Sequence, residues 1–570
     1  MSISQRVLVI GGVALGPKAA CRIKRLDPHA DVTVLEATSH FSYGGCGIPY
    51  YVSGDVSDIK ELSTTSFHVL RDAPFFRDAK GVAILANIRA LAINRDKKTV
   101  TVRHESSGAT EDLPYDKLVI ATGASPRRLN APGEDLPGIS AVANLAHAAY
   151  IKDMVAAGKV GKAVVVGAGF IGLEMAEAFA DMWGIETTVV EFMPQLMPNL
   201  VSPGLATMAV QNLEKHGVTM HFGEKVVAFE GDGKLERVVT DKRVIEADLA
   251  IVAVGVTPNS ELAKAAGLDV APNGGIVVNE YLQTTDPDIY AGGDCIALPN
   301  LLTGQLMHLP MGSMANRQGR IIGDNLAGLQ RTFPGAVGSF CVKLFDHALT
   351  GTGLCLAGAK RAGYDAVNVH LSQLDRAHFY PSKALMYLDL VVDKATRRVL
   401  GIQGFTSQMD AVVGRINVVA GLLPRGLTVD ELSNVEMAYS PPFAAAMDIL
   451  NALANAADNL LAGRHRPVSP DEFGTMWADA EQDGLCFLDV RANPDGVRAV
   501  ERLKMPNYLA IPQDEIPGRL GELPADKKLV LLCNTGTRAY EAQIMLDQAG
   551  RESIAVQGGL ASVEKMGVDV

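Results

Sequence analysis

A chain of 570 residues exceeds the size at which one apolar core keeps growing, so several domains are expected, each with its own interior. A formal net charge of −12 without a long basic run excludes a nucleic-acid surface, and the low charge density argues against disorder. Seven cysteines, odd in number and irregularly spaced, do not resemble the disulfide framework of a secreted protein, so a reducing, cytoplasmic setting is expected.

The apolar start Val7-Leu8-Val9-Ile10 runs directly into Gly11-Gly12, as a buried first strand would, and lacks the charged prelude of a signal peptide. No apolar stretch reaches the roughly 18 residues a membrane span needs. Gly11-Gly12-Val13-Ala14-Leu15-Gly16 leads from this strand into a helix ending near Leu26, and Asp31-Val32-Thr33-Val34-Leu35 then ends on Glu36. Ala163 to Ala180 repeats the unit around Gly167-Ala168-Gly169-Phe170-Ile171-Gly172, with Glu191 closing the next β-branched run. Each acid stands about 20 residues beyond the last loop glycine, the spacing of a dinucleotide site. Val100-Thr101-Val102, Leu118 to Gly123 and the run Leu249 to Val254 ending at Gly255 read as further strands.

From about Phe333 to Asn451, strand signals such as Leu388-Asp389-Leu390-Val391-Val392 give way to helix signals, which predicts an α+β domain. Helical spacing from Ala444 to Leu461 stops at Gly463-Arg464-His465-Arg466-Pro467, where a linker is expected. Three short apolar strands, around Phe487, Leu529 and Ser553, then mark a final α/β domain of about 100 residues.

The second glycine loop carries the full pattern for a tight turn, close approach to a pyrophosphate and close helix packing. Glu191 is placed to accept from a ribose 2′-hydroxyl and to repel a 2′-phosphate, which favours NADH over NADPH. In the first loop Val13 replaces the middle glycine, and support comes from Glu36 and from distant segments. Those segments, Ala121-Thr122-Gly123 and Thr284 through Asp294, resemble the FAD-binding signatures of the two-dinucleotide flavoprotein disulfide reductases over about residues 1 to 450. The resemblance implies that Gly11, Gly16 and Glu36 hold the ADP half of FAD, that Thr122 and Gly123 line the same site, and that Asp294 bonds the ribityl or phosphate region. Gly167, Gly169, Gly172, Glu191 and Gly255 are the corresponding NAD residues.

Cys46 stands alone in Ser42-Tyr43-Gly44-Gly45-Cys46-Gly47, with no second cysteine four residues away. This is similar to the branch that contains coenzyme A disulfide reductases, NADH oxidases and peroxidases, in which one thiolate forms a mixed disulfide or a sulfenate beside the flavin. The resemblance implies substrate or coenzyme A contacts at Arg22, Arg25, Ser42 and Arg317, and catalytic support from Tyr380 and Tyr439. Phe443 and Gly45 depart from the coenzyme A pattern, so the identity of the thiol partner stays open.

Cys533 opens Cys533-Asn534-Thr535-Gly536-Thr537-Arg538 between a strand and a helix. Amides converging there lower a thiol's pKa and steady a persulfide, with Arg538 bracing the loop or adding positive potential. The tail resembles a rhodanese domain, and the loop is one residue tighter than that of cysteine phosphatases, which favours a single sulfur atom over phosphate.

The whole chain resembles a coenzyme A disulfide reductase fused to a rhodanese domain, of the FAD-dependent pyridine nucleotide-disulfide oxidoreductase family. The implied fold is α/β: two Rossmann-like domains, an α+β dimerisation domain and a C-terminal rhodanese-like α/β domain. The expected divisions are FAD-binding 1–123 with 249–326, NAD-binding 124–248, dimerisation 327–455, linker 456–466 and rhodanese-like 467–570. The implied activity is NADH-dependent reduction of persulfides, polysulfides or coenzyme A disulfide by a homodimer with FAD, NADH and optionally coenzyme A, acting on a small sulfur substrate with no nucleic acid, membrane or metal. Two alternatives remain: an NADH oxidase or peroxidase working through a Cys46 sulfenate, and a sulfur carrier without NADH-driven turnover.

Overall fold

The computed structural model describes residues 5–479 and 484–570, which form two compact units: 5–192 with 224–336, and 193–223 with 337–479 and 484–570. In the first unit, the strand Arg6–Ile10 is the middle of a five-stranded parallel sheet. Asp31–Glu36 and then Ala83–Ala86 lie to one side, Lys117–Ile120 and then Ile289–Ala291 to the other. Val7 to Ile10 are all buried because helices or loops cover both faces, which explains an unbroken apolar run instead of alternation.

A second parallel arrangement in this unit runs Glu186–Glu191, Lys162–Val166, Leu249–Val252 and Ile139–Ser140. Here one expected boundary is corrected. Leu249–Val252 pairs with Lys162–Val166 in register Ala163↔Leu249 to Val166↔Val252, so it belongs to the second sheet and not to the returning FAD segment that was to begin at 249. Two short antiparallel strands, Ala124–Pro126 and Val256–Pro258, carry the chain across between the two sheets, and the first sheet is rejoined at Ile289–Ala291.

The repeat seen in sequence is a repeat of packing. The helix Leu15–Leu26 follows the first loop and Phe170–Ala180 the second. A Cβ at Gly16 would overlap the carbonyl oxygen of Gly11, and a Cβ at Gly172 would overlap that of Gly167. Each helix thus approaches its own strand as closely as backbone permits, and only glycine fits.

The second unit holds an antiparallel sheet in the order Phe340–Leu344, His347–Gly353, Val399–Thr406, Leu385–Asp393 and Ala366–Leu374. The helices Met409–Leu422 and Ile449–Leu461 pack on it. The latter, N-capped by Asp448, buries Ile449, Leu450, Leu453, Ala454 and Ala457. The expected linker 456–466 is therefore corrected: its first half is packed helix, and the connection outside the helix begins at Ala462.

The C-terminal sheet is parallel, in the order Pro467–Val468, Ser553–Val556, Lys528–Leu532, Leu485–Asp489 and Tyr508–Ala510. Two apolar clusters cover its faces, one including Leu488, Leu531 and Leu546 and the other Phe473, Phe487 and Val563. Asp489, fully buried, accepts from Arg491 Nη2 at 2.7 Å and from the Tyr508 hydroxyl at 2.9 Å, so its charge is matched where no water reaches.

Replacing Gly172 with Ala is expected to destabilise the first unit by about 1–3 kcal/mol, the usual cost of overpacking a close backbone contact. Denaturant unfolding followed through that unit measures it, and an unchanged midpoint contradicts the packing described.

Candidate active site

At both glycine loops the acid ending the second strand turns back onto loop backbone. Glu36 Oε2 accepts from the Gly12 amide at 2.9 Å, and its Oε1 accepts from the Thr38 amide and hydroxyl, both at 2.9 Å. Glu191 Oε2 accepts from the Ala168 amide at 2.7 Å. The two acids do the same work 155 residues apart, as copies of one motif would.

The loops fit the dinucleotides expected from the sequence. No atom lies within 4 Å of the place a Cβ would occupy at Gly169 or at Gly123, so each glycine keeps open a cradle that a side chain would fill. Three residues past the strand Leu249–Val252, Gly255 turns the chain with φ +98°, and the Ala253 backbone just before it lies against Gly167. Thr122 is locked by its hydroxyl donating to the Asn259 carbonyl at 2.6 Å, while Asn259 donates back to the Thr122 carbonyl at 2.8 Å. Asp294 lies in the turn Gly293–Cys295, and desolvation pushes its carboxyl up, opposed only by His308. A half-buried acid so weakly countered suits a ligand that brings hydroxyl donors.

Cys46 is exposed on a one-turn segment, Gly45–Gly47, that feeds the helix Ile48–Ser53. Its Sγ lies 3.7 Å from where a Cβ at Gly312 would stand, at the start of the 15-residue helix Gly312–Leu326. Desolvation pushes the thiol's pKa up first, and Glu174 and Asp294 add to that, whereas the amides of Gly312 and of Cys46 itself favour the thiolate. The polypeptide's own charges thus favour the thiol, and the expected thiolate rests on two backbone amides alone. Glu174 and Gly312 escaped sequence reasoning because nothing local ties either to Cys46. Only the fold brings these segments together.

Two substrate contacts expected from the family pattern are held by the polypeptide itself. Ser42 is 5% exposed, its amide donating to the Gly12 carbonyl at 2.8 Å, so it stands against the first glycine loop. Arg22 donates to Asp324 at 2.5 Å with its side chain 17% exposed, and so ties the helix Leu15–Leu26 to Gly312–Leu326 instead of presenting a free charge. Arg25 and Arg317 are exposed, the latter with its guanidinium 5.3 Å from the centre of the Phe333 ring.

In the second unit, Tyr380 is half-buried, its amide donating to the Ala377 carbonyl at 2.9 Å, and Ala377 donates in turn to Pro441 at 3.4 Å. That link sets the Tyr380 loop beside the one bearing exposed Tyr439 and Phe443. In the C-terminal domain, Cys533 Sγ accepts from the Gly536 amide at 3.1 Å and the Ala539 amide at 3.4 Å. Gly536 reaches this geometry through φ +96°. Cys533 is only 1% exposed, while Asn534 and Thr537 above it are exposed and Arg538 is half-buried at the first turn of the helix Thr537–Gln548.

Residues 5–316 match the family model for the pyridine nucleotide-disulphide oxidoreductases, and residues 340–450 match that family's dimerisation domain. An NAD(P)H coenzyme A polysulfide/persulfide reductase of Pyrococcus horikoshii is 34% identical over 453 residues, spanning 80% of this chain and 98% of its own. An NADH oxidase of Enterococcus faecalis is 32% identical over 454 residues, spanning 79% of this chain and 99% of its own. The solved structure of an NAD-dependent persulfide reductase from A. fulgidus superposes with a TM-score of 0.92 at 37% identity, covering 98% of this chain and all of that one. With its paired glycine turns and lone cysteine, the chain belongs to the pyridine nucleotide-disulphide oxidoreductase family and is an FAD-dependent NAD(P)H oxidoreductase.

Proposed function

We propose that this enzyme reduces persulfides, polysulfides or coenzyme A disulfide and persulfide with NADH, using Cys46 as its redox thiol and Cys533 as a sulfur acceptor. The observation that carries this reading is the pair of amide hydrogen bonds onto Cys533 Sγ in a chain whose other domains are a flavoprotein reductase. Amides aimed at a sulfur stabilise negative charge on it, which a sulfur-accepting thiolate requires and a packing cysteine does not. The Pyrococcus and A. fulgidus relatives, named for persulfide reduction, support the same substrate class.

At Cys533 the thiolate attacks the outer sulfur of a donor R–S–SH. The donor's S–S bond breaks, a Cys533 persulfide forms and R–SH leaves with the proton, without net redox change. Reduction consumes NADH and a proton per persulfide, releasing R–SH and hydrogen sulfide. Bound FAD supplies the hydride relay from nicotinamide toward sulfur. Gly167, Gly169, Gly172 and Glu191 would hold NADH, with Glu191 disfavouring a 2′-phosphate, and Gly11, Gly16, Glu36, Thr122, Gly123 and Asp294 would hold FAD. Tyr380 and Tyr439 are candidates to donate a proton to the departing thiolate, and Arg25, Arg317 and Arg538 to steady anionic substrate. Dimerisation is supported by the family match at 340–450, and a reducing cytoplasmic setting by seven unpaired cysteines. Among the described residues no helix is long and apolar enough to cross a membrane.

The second reading, an NADH oxidase or peroxidase, is favoured by the Enterococcus relative and by Phe443 in place of a second phenol. Under that reading NADH-driven oxygen or peroxide consumption far exceeds sulfur reduction. A carrier alone, by contrast, would keep a stable Cys533 persulfide through NADH addition.

With NADH and glutathione persulfide, the wild-type protein is expected to release sulfide continuously, and Cys46→Ser to lower that rate by at least about a hundredfold, as loss of a reacting group does. No sulfide above the enzyme-free background overturns the proposal. Burial first, and Glu177 second, push the Glu174 carboxyl up to about 7, so its charge appears as pH rises through neutrality and then opposes ionisation of Cys46. Glu174→Gln removes that charge and is expected to move the pH midpoint of Cys46 alkylation by iodoacetamide downward. An unmoved midpoint means that the field of Glu174 does not act on the sulfur.

A further inference from the structure

We infer that His370, in the antiparallel sheet of the second unit, is a positioning residue for the Cys533 loop. The inference rests on the sulfur-accepting role proposed for Cys533 and adds what holds that loop in its receptive shape.

His370 and Ser372 share one face of the edge strand Ala366–Leu374, because side chains two apart point the same way. That face meets the turn Gln557-Gly558-Gly559 of the C-terminal domain. The His370 amide donates to Gln557 Oε1 at 3.1 Å, and Ser372 Oγ donates to the Gly558 carbonyl at 2.7 Å. His370 Nδ1 donates to Asp389 Oδ1 at 2.8 Å, since an ionised carboxylate can only accept, and His370 Nε2 lies 2.8 Å from Ser562 Oγ. Asp389 is held from its other side by the Ser202 hydroxyl. His370 is 4% exposed, Asp389 2%, Ser372 2% and Ser562 0%, so the network is dry and each lost partner leaves a polar group without water.

The turn so held is the one that fixes the backbone at the sulfur. Gly558 and Gly559 both have positive φ, +67° and +59°. A Cβ on Gly558 would collide with Ser562 Oγ and the His370 ring, and one on Gly559 with the backbone of Cys533 and Asn534. The turn is therefore pressed between the imidazole and the sulfur loop. Directly beyond it, the Leu560 amide donates to the Cys533 carbonyl at 2.8 Å and the Ala561 amide to the Asn534 carbonyl at 2.9 Å. A displaced turn carries these two carbonyls with it and moves the Gly536 and Ala539 amides off Sγ. A residue of one domain thereby sets the anion-stabilising geometry of another, although it touches neither substrate nor Cys533.

The test uses the full-length flavin-loaded protein, with peptide mass reporting on Cys533 alone. Two quantities are read: the pH midpoint of alkylation by iodoacetamide, and the rate of sulfur loading from glutathione persulfide. His370→Ala and, as a smaller change that keeps the packing, Ser372→Ala are each expected to raise the midpoint and slow loading about fivefold to tenfold, the scale of one buried hydrogen bond. His370→Gln, which retains a donor and an acceptor, is expected to recover most of the loss. An unchanged midpoint and rate in both alanine variants overturns the inference, as does faster loading in either. If wild-type Cys533 takes up no sulfur, it is the proposed role of Cys533 that fails, and the alkylation midpoints still decide for or against His370.

Discussion

Backbone amides left free where a strand turns into a helix are the constraint on which this molecule depends. Such amides have no partner within the helix and carry the positive end of its dipole, so they must meet negative charge. The chain answers that demand in related ways. At the two dinucleotide loops, just ahead of the helix caps, the loop amides of Gly12 and Ala168 are taken by Glu36 and Glu191. At Cys533, Gly536 and Ala539 aim theirs at a sulfur. At Cys46 the helix beginning with Gly312 plays a comparable part. Phosphate, carboxylate and thiolate are interchangeable from the standpoint of an amide, and one local geometry serves all three.

The two sulfur sites differ in what surrounds those amides. Cys46 is exposed, and nearby acids work against its ionisation. Cys533 is almost wholly buried beneath a loop that is itself exposed. A thiol of the first kind is easily reached but must be activated. One of the second kind faces backbone amides but must be uncovered. The proposed division of labour, in which one cysteine takes part in electron transfer and the other receives sulfur, follows that difference.

Burial also explains where polar residues were put. In the C-terminal domain Asp489 is matched by Arg491 and Tyr508, and in the neighbouring sheet Asp389 is matched by His370 and Ser202. Neither acid adds much to stability, because removing a carboxylate from water offsets most of the attraction it regains. What such groups contribute is geometry: around the turn at Gly558, Ser372 Oγ and His370 find their partners in this docking.

The positions of several strands, the paired glycine loops with their acids, and the two cysteine segments were legible in the chain itself, because apolar runs, loop glycines and acids at about 20-residue spacing are local patterns. Placement of Leu249–Val252 was not, since a buried apolar strand reads the same in either sheet, and only its pairing with Lys162–Val166 decides. The helical spacing out to Leu461 was visible, but the core that buries Ala457 and pulls the linker's start toward Ala462 was not. For Arg22 the sequence records a charge and its helical position, but not that Asp324, 302 residues away, pairs with it. Local pattern marked out candidate residues for binding phosphate or holding a reactive sulfur. Tertiary structure alone decided which charges were already neutralised, which sulfur was covered, and that a histidine in one sheet would hold the turn behind Cys533, because those outcomes depend on long-range neighbours that no spacing encodes.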